Sequence, residues 1–521
     1  MAEPEPSDAP VRLAEAARAS RPGPRYRAVG LATGAAAFVA MVSLGAPDGI
    51  ADAAWLTLAV AALMAIWWAT EALPLAATAL VPLVVFPLLG VVPMAETASA
   101  YAHPLIFLFM GGFLVARGMQ RWNLHRRIAL VIAVRAGGEP KALIAGFMAA
   151  TAFLSMWVSN TATTIMMLPI AASVVGVVIA NSPHAGDADI RRFGLATMLA
   201  IAYSASVGGI GTLVGTPPNA LMAAFFERTY GIEISFVGWM AIAMPLVAVM
   251  LPAVWLVLTR LVFPFDLGHT AGDAAHGRQA VRAQLDALGP MTAPETRVGL
   301  VFAAMAGLWL FRPLLDDLPL LAGLSDPGIA IAGALALFIL PAGRRTGPDD
   351  GGEGDEGDDE AGARLLGWED ARKISWDVLI LFGGGLALAG AFASTGLAAT
   401  LGEHMGGLAW LPMFIFVLLV SGLVIFLTEL TSNTATVAAL LPVIAAIAAA
   451  TGIDPPVLAV AAVMAASCAF MLPVATPPNA IVFASGYVSV PQMMRAGFVL
   501  NLIGIALVSA IAALLAPVLF G

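Results

Sequence analysis

Charge is scarce in this chain. Of its 521 residues only 11% are Asp, Glu, Lys or Arg, against roughly 25% in a soluble domain, and that shortage excludes a water-soluble enzyme and a nucleic-acid partner. Cysteine is scarcer still. The single Cys468 forbids an intrachain disulfide and leaves the redox compartment open. The six histidines fall in no ligand spacing with cysteine or acid. There is no HExxH, no GxSxG and no pair of aspartates at membrane depth, so the chain offers neither a metal-bound water nor an activated nucleophile. It reads as no enzyme.

Apolar residues are what it has, 60% of the total. A helix crosses ~30 Å of hydrocarbon in ~20 residues, and the sequence therefore predicts an all-α polytopic protein embedded in a lipid bilayer. Candidate spans lie near 28–47, 53–69, 74–92, 102–120, 236–259, 298–315, 326–341, 375–395 and 495–520. Two more, 195–226 and 457–486, are interrupted, and half-length runs pair at 141–158 with 162–180 and at 409–430 with 434–450. The expectation is about eleven transmembrane helices plus two re-entrant helical hairpins, 141–180 and 409–450.

Basic residues orient these spans. Arg12, Arg18, Arg21, Arg25 and Arg27 place the amino-terminal segment 1–27 in the cytoplasm. Alternate loops then collect nearly all of the 25 basic residues on that side, leaving Arg228 and Arg312 outside together with the carboxyl terminus. The first apolar run is long and no small-x-small site follows it, which argues against a cleaved leader. Alanine-rich composition without organelle targeting points to a bacterial inner membrane. The net charge of −9 is concentrated in a Gly-rich tract, where Asp349, Asp350, Glu353, Asp355, Glu356, Asp358, Asp359 and Glu360 make the 342–366 loop a solvated acidic linker.

The sequence repeats. Ser159-Asn160-Thr161-Ala162-Thr163, followed by Leu168-Pro169, returns as Ser432-Asn433-Thr434-Ala435-Thr436, followed by Leu441-Pro442. Thr216-Pro217-Pro218-Asn219 returns as Thr476-Pro477-Pro478-Asn479, and Gly111-Gly112 as Gly383-Gly384. An odd number of crossings separates the two Ser-Asn-Thr motifs, so the hairpins enter from opposite sides. The predicted layout is a first span 28–52, an inverted repeat 53–262, a cytoplasmic linker 263–297 and a second repeat 298–521. Inverted repeats with interrupted helices at matching positions point to a secondary transporter and its midplane site.

Irregular backbone at membrane depth survives only inside protein or beside a cavity. Each Ser-Asn-Thr is therefore expected at a hairpin tip, where one arm ends in free carbonyls and the next begins with free amides. Carbonyls, hydroxyls and the Asn amide oxygen suit a small cation, while amide and hydroxyl donors suit an anion. The Thr-Pro-Pro-Asn pairs repeat the arrangement, because proline ends one helix and starts another. Four helix amino termini then serve one anion without a basic side chain, and cations supply the missing charge. Glu71 and Asp377 read as interfacial. Glu429, four residues before Asn433, is the strongest candidate for an intramembrane functional acid, though a structural role is favoured.

The paired Ser-Asn-Thr motifs, the stretch AYSASVGGIGTLVGTPPN (Ala202–Asn219) and the stretch ASCAFMLPVATPPNAIV (Ala466–Val482) resemble the divalent anion/sodium symporter family, the INDY-like carboxylate transporters. The resemblance runs from about Trp67 to the end. It implies a homodimer whose protomers each pair a scaffold domain with an elevator-type transport domain. It further implies a first sodium site at Ser155, Ser159, Asn160 and Gly208, and a second at Thr428, Thr431, Asn433 and Ala475. Asn160, Thr161, Asn433, Thr434 and Pro477 would hold the substrate carboxylates. The expected activity is secondary transport of a C4 dicarboxylate such as succinate, malate or fumarate, coupled to Na+. Dicarboxylate exchange without sodium, and citrate or sulfate as substrate, are the alternatives. The acidic loop and the first 27 residues depart from the family pattern without touching the motifs.

Overall fold

The computed structural model describes residues 24–182, 185–267, 273–315, 318, 319, 321, 323–343, 363–405 and 411–520. Most of the amino-terminal segment and of the acidic 342–366 loop lies outside the described residues. Those described are helical throughout, apart from turns and one isolated bridge between Pro341 and Arg364.

The helices run α1 (Pro24–Leu44), α2 (Asp52–Ala69), α3 (Leu75–Thr78), α4 (Val81–Leu88), α5 (Met94–Ser99), α6 (Pro104–Arg121), α7 (Leu124–Arg135), α8 (Pro140–Ser155), α9 (Asn160–Ala180), α10 (Asp187–Ile210), α11 (Pro217–Tyr230) and α12 (Phe236–Leu256). After the linker helix α13 (Asp273–Asp286) come α14 (Ala293–Leu315), α15 (Asp326–Ile339), α16 (Trp368–Ala371), α17 (Trp376–Ser394), α18 (Leu397–Met405), α19 (Met413–Thr428), α20 (Asn433–Thr451), α21 (Pro455–Ala466), α22 (Pro477–Ala484) and α23 (Val490–Phe520). Among the described residues, 10 helices are long and apolar enough to span a bilayer. These include α9 and α20, the second arms of the two hairpins. The spans expected at 74–92, 326–341 and 457–486 are the shorter or broken helices α3–α4, α15 and α21–α22.

Three features depart from the expected spans. The run 74–92 breaks at Ala79–Leu80, and the freed carbonyl of Ala79 accepts the Tyr101 hydroxyl. The basic stretch 124–135, expected as loop, is the helix α7. Arg127 anchors it by ion-pairing with Glu295 at 3.1 Å and donating to the Gly289 carbonyl. The linker 263–297 carries α13.

Local chemistry sets most boundaries. Proline opens α6, α8, α11, α21 and α22, where a missing N–H costs nothing. Ser159, Ser235 and Ser325 cap the helices that follow them. Gly231 and Gly452, at φ 67° and 68°, end α11 and α20 in the left-handed conformation open to glycine.

Packing repeats as the sequence does. In the first half α8, α9 and α12 pack on α10; in the second half α19, α20 and α23 pack on α21. The halves also exchange partners. Helix α11 lies against α20 and α21, while α22 lies against α9 and α10, and α12 meets α23 between them. The apolar stretch of α10 is 100% buried by protein, whereas that of α1 is 11% buried. Thus α10 is a core element and α1 faces outward.

Candidate functional site

Both hairpins turn at the expected residues. Helix α8 ends at Ser155 and α9 starts at Asn160; α19 ends at Thr428 and α20 starts at Asn433. The tips themselves, Ser159–Ala162 and Thr431–Thr434, are half-buried, while each arm behind them buries one face and exposes the other, as at Leu419, Leu423 and Phe426 of α19. Because α22 starts at Pro477 and packs on α9, and α11 starts at Pro217 and packs on α20, each tip's outgoing helix lies against the restarted helix of the other half.

At the first tip, Ser155 Oγ lies 2.5 Å from Asn160 Oδ1 and 2.7 Å from the Ala205 carbonyl. One hydroxyl proton cannot serve two oxygens. The three oxygens form a cluster short of positive charge, which is the donor set a hard cation takes. Gly208 and Gly209 let helix α10 approach this tip: a Cβ on Gly208 would stand 2.4 Å from the Ala152 carbonyl oxygen, and one on Gly209 would stand 2.5 Å from Asn160 Oδ1. Ser159 Oγ caps α9 through the Ala162 N–H at 3.3 Å. The structure thus joins Ser155, Asn160 and the Gly208–Gly209 backbone, with Ser159 at the rim.

At the second tip, Thr428 Oγ1 donates within its own helix, to Val424 or Ile425. Thr431 Oγ1 pairs with Thr436 Oγ1 at 2.7 Å. Asn433 Oδ1 is buried with no hydrogen-bond donor, a position that costs free energy until a cation or donor arrives. Ala475 can offer an ion only its backbone, and its N–H meets the Leu472 carbonyl at 3.2 Å. Thr161 and Thr434 are half-buried on the two tips, and Pro477 is exposed.

Sequence reasoning missed how the interrupted segments are held. Asn219 Nδ2 reaches three carbonyls, Gly209 at 3.1 Å, Ile210 at 3.2 Å and Thr212 at 2.7 Å. Asn479 Nδ2 reaches Ala469 at 3.3 Å and Leu472 at 3.0 Å, the matching positions of its own half. An aromatic donor completes each loop, with Trp239 Nε1 on the Ile210 carbonyl and the Tyr203 hydroxyl on the Phe470 carbonyl, both at 2.8 Å. The last residue of each Thr-Pro-Pro-Asn motif is therefore a clamp for unwound backbone. Asn219→Ala leaves buried carbonyls without a donor and should cost about 1–3 kcal/mol, read as a lower thermal midpoint of the detergent-purified protein.

Glu429 is also a clamp. Its carboxylate accepts the N–H groups of Phe470 at 2.8 Å, Met471 at 2.9 Å and Leu472 at 2.9 Å, and Asn501 Nδ2 at 2.7 Å. The structural role favoured from sequence is the one observed. Among the described residues no group of three or more His, Cys, Asp or Glu side chains is placed to hold a metal, so any cation at these tips is held by hydroxyl, amide and carbonyl oxygens.

Comparison with known proteins places these features in a family. Residues 26–521 match the model described as the sodium:sulfate symporter transmembrane region. The chain is 40% identical over 497 residues to the sodium-dependent dicarboxylate transporter SdcS of Staphylococcus saprophyticus, an alignment covering 95% of this chain and 92% of that one. It is 38% identical over 500 residues to SdcS of Staphylococcus aureus strain USA300, with the same coverage. Among solved structures the YdaH transporter of Alcanivorax borkumensis is similar in fold, with a TM-score of 0.51 at 14% identity over 80% of this chain and 86% of that one.

Proposed function

Since the chain belongs to the sodium:sulfate symporter transmembrane-region family, we propose that it carries a small dicarboxylate of the succinate, malate or fumarate type across a bacterial plasma membrane, driven by Na+. The observation that carries this reading is the doubled tip. Two hairpins with Ser-Asn-Thr turns meet two restarted helices in one packed body, and each tip holds oxygen acceptors short of positive charge.

The chemistry follows from dipoles. Helices α9, α20, α11 and α22 each begin with N–H groups that no helix carbonyl takes, of which Ser159 caps one on α9 and Thr476 one on α22, and with a partial positive charge. These termini, with Thr161, Thr434, the Asn160 and Asn433 amides and the Pro477 turn, orient the two carboxylates. Ser155, Ser159, Asn160 and Gly208 take one sodium ion; Thr428, Thr431, Asn433 and Ala475 take another. Neutralisation by sodium makes the dianion tolerable in a site without basic side chains. Bound charge is then moved by an elevator motion of a transport domain containing both hairpins, α10–α12 and α21–α23, against the remaining scaffold. The functional unit is a homodimer with its amino terminus in the cytoplasm and its carboxyl terminus outside.

Radiolabelled succinate uptake into proteoliposomes tests the reading. An inward sodium gradient should raise the initial rate at least about tenfold over an equal potassium gradient, because a −1 or −2 anion moved with two or more cations draws on their gradient. Uptake indifferent to sodium but stimulated by internal dicarboxylate would replace symport with exchange.

A further inference from the structure

A cavity of about 190 Å³ lies among helices that carry neither hairpin tip. Met110 and Leu114 of α6, Leu335 and Phe338 of α15, and Trp368 and Trp376 at the starts of α16 and α17 form its walls, and no charged side chain lines it. Leu335 is 54% exposed, Trp368 65% and Trp376 40%, so the cavity opens on the outside of the protein. Apolar cavities of about 150 Å³ stay dry and take up hydrocarbon. A helix, about 10 Å across, does not fit in such a space.

Positive charge collects at one end of this cavity. Arg117 and Arg121 stand about one and two turns past Leu114 along the same face of α6. Arg364 donates to the carbonyl of Ile339, the residue after Phe338, and Arg372 and Lys373 directly follow Ala371, the end of α16. These ends are fastened together. Asp370 of α16 ion-pairs with Arg121 and, at 3.9 Å, with Arg117. The Leu366 N–H meets the Leu337 carbonyl at 3.1 Å, and Trp122 Nε1 donates to the Leu365 carbonyl at 2.7 Å. Five basic side chains thus stand beside three acids, Glu369, Asp370 and Asp377; the acidic tract 349–360 lies outside the described residues. Arg117 keeps an unused donor, since its Nε is buried without an acceptor while a terminal nitrogen goes to Gln120 at 3.2 Å.

We propose that this cavity binds an anionic phospholipid, with one acyl chain between α6, α15 and α17 and the phosphate at Arg117 and the neighbouring basic side chains. The site is additional to the transport reading, and only the choice of the cytoplasmic leaflet follows from the orientation proposed above. The lining is apolar throughout, as an acyl chain requires. Trp122, Trp368 and Trp376 stand where chain meets headgroup, the level that indole rings prefer. Basic ends on α6, α15 and α16 form the kind of rim that takes an anionic headgroup, whereas a zwitterionic headgroup brings a cation of its own. A second copy of the chain fits less well, because a two-fold interface lays a patch against itself and would set these positive rims together.

The test is native mass spectrometry and thermal melting of the full-length protein, delipidated in detergent and supplied with dioleoylphosphatidylglycerol or dioleoylphosphatidylcholine at equal mole fraction. Phosphatidylglycerol should be retained about tenfold more strongly or better, and should raise the thermal midpoint because it binds the folded state. Leu335→Trp brings a ring into the cavity from an exposed position and should weaken retention of both lipids by about tenfold or more. Arg117→Gln removes a charge and leaves the cavity, and should erase most of the preference for phosphatidylglycerol. Arg282→Gln, on α13 outside the site and paired with Asp286 at 3.4 Å, should leave that preference intact. Should Arg117→Gln fail to fold, Lys373→Gln takes its place. Equal retention of the two lipids, equal loss of preference in Arg117→Gln and Arg282→Gln, or unaltered retention in Leu335→Trp overturns the proposal. A Leu335→Trp protein that changes its size-exclusion elution while keeping its lipid assigns the cavity to a second copy instead. None of these readouts involves sodium or dicarboxylate, so the transport reading stands or falls separately.

Discussion

Asn160→Ala and Asn433→Ala are each expected to lower sodium-driven dicarboxylate uptake by about 100-fold or more, since on the proposed assignment each removes charge-assisted contacts to an ion and a carboxylate together. The two variants should differ in how they affect the empty protein. Asn160 Oδ1 is engaged with Ser155 Oγ and faces Gly209, so its loss removes a side-chain tie between the two arms of the hairpin, with Ser155 keeping only the Ala205 carbonyl, and lowers the thermal midpoint in sodium-free buffer. Asn433 Oδ1 is a buried acceptor with nothing to accept. Removing it relieves a cost, and the sodium-free midpoint should hold or rise. Uptake by the purified variants, size-exclusion elution and sodium-free melting together check this. Wild-type rates in either variant would put the site elsewhere, and a fall in stability of Asn433→Ala equal to that of Asn160→Ala would mean its amide is already satisfied.

The contrast between those two amides marks what the sequence made legible. Helix starts at Asn160, Asn433, Pro217 and Pro477 were readable because proline and the Ser-Asn-Thr turn are local signals, and doubling in register made them specific. The all-helical polytopic fold follows from apolar length alone. What holds the site was not readable, because it depends on residues far apart in the chain. Glu429 finds its partners at Phe470–Leu472, and Asn501 joins them from α23. Tyr203 of the first half closes the loop of the second. An apolar-flanked acid looks the same in sequence whether it carries a proton or grips backbone. The break at Ala79 escaped for a similar reason: 74–92 is continuously apolar, and only the Tyr101 hydroxyl and the close approach of Gly384 to the Ala79 carbonyl stabilise an interruption there. Helix α7 escaped because a basic stretch reads as cytoplasmic loop until Glu295 is seen to anchor it.

Neighbouring glycines on α10 are expected to fail in opposite ways. A methyl on Gly208 would stand 2.4 Å from the Ala152 carbonyl oxygen and 2.5 Å from its Cα. Backbone cannot swing aside, so Gly208→Ala forces α8 off α10 and should cost about 1–3 kcal/mol or more, seen as loss of folded protein and a lower thermal midpoint. A methyl on Gly209 instead meets the Asn160 amide, at 2.5 Å from Oδ1 and 3.0 Å from Nδ2. That amide rotates or withdraws at small cost in packing, and in moving it leaves Ser155 and the substrate. Gly209→Ala should therefore lower the midpoint no further than Asn160→Ala does, and less than Gly208→Ala, while uptake falls by about tenfold or more, a separation of stability from transport that holds only if Asn160 belongs to the site. The second half supplies the control. Cys468 and Ala469 occupy the matching positions, so that half already carries a Cβ at both. Ala469→Gly opens no contact to Asn433 and should leave both melting and uptake nearly unchanged. Loss of transport in Ala469→Gly as deep as in Gly209→Ala would mean that helix flexibility, and not the displaced amide, is what the substitutions report.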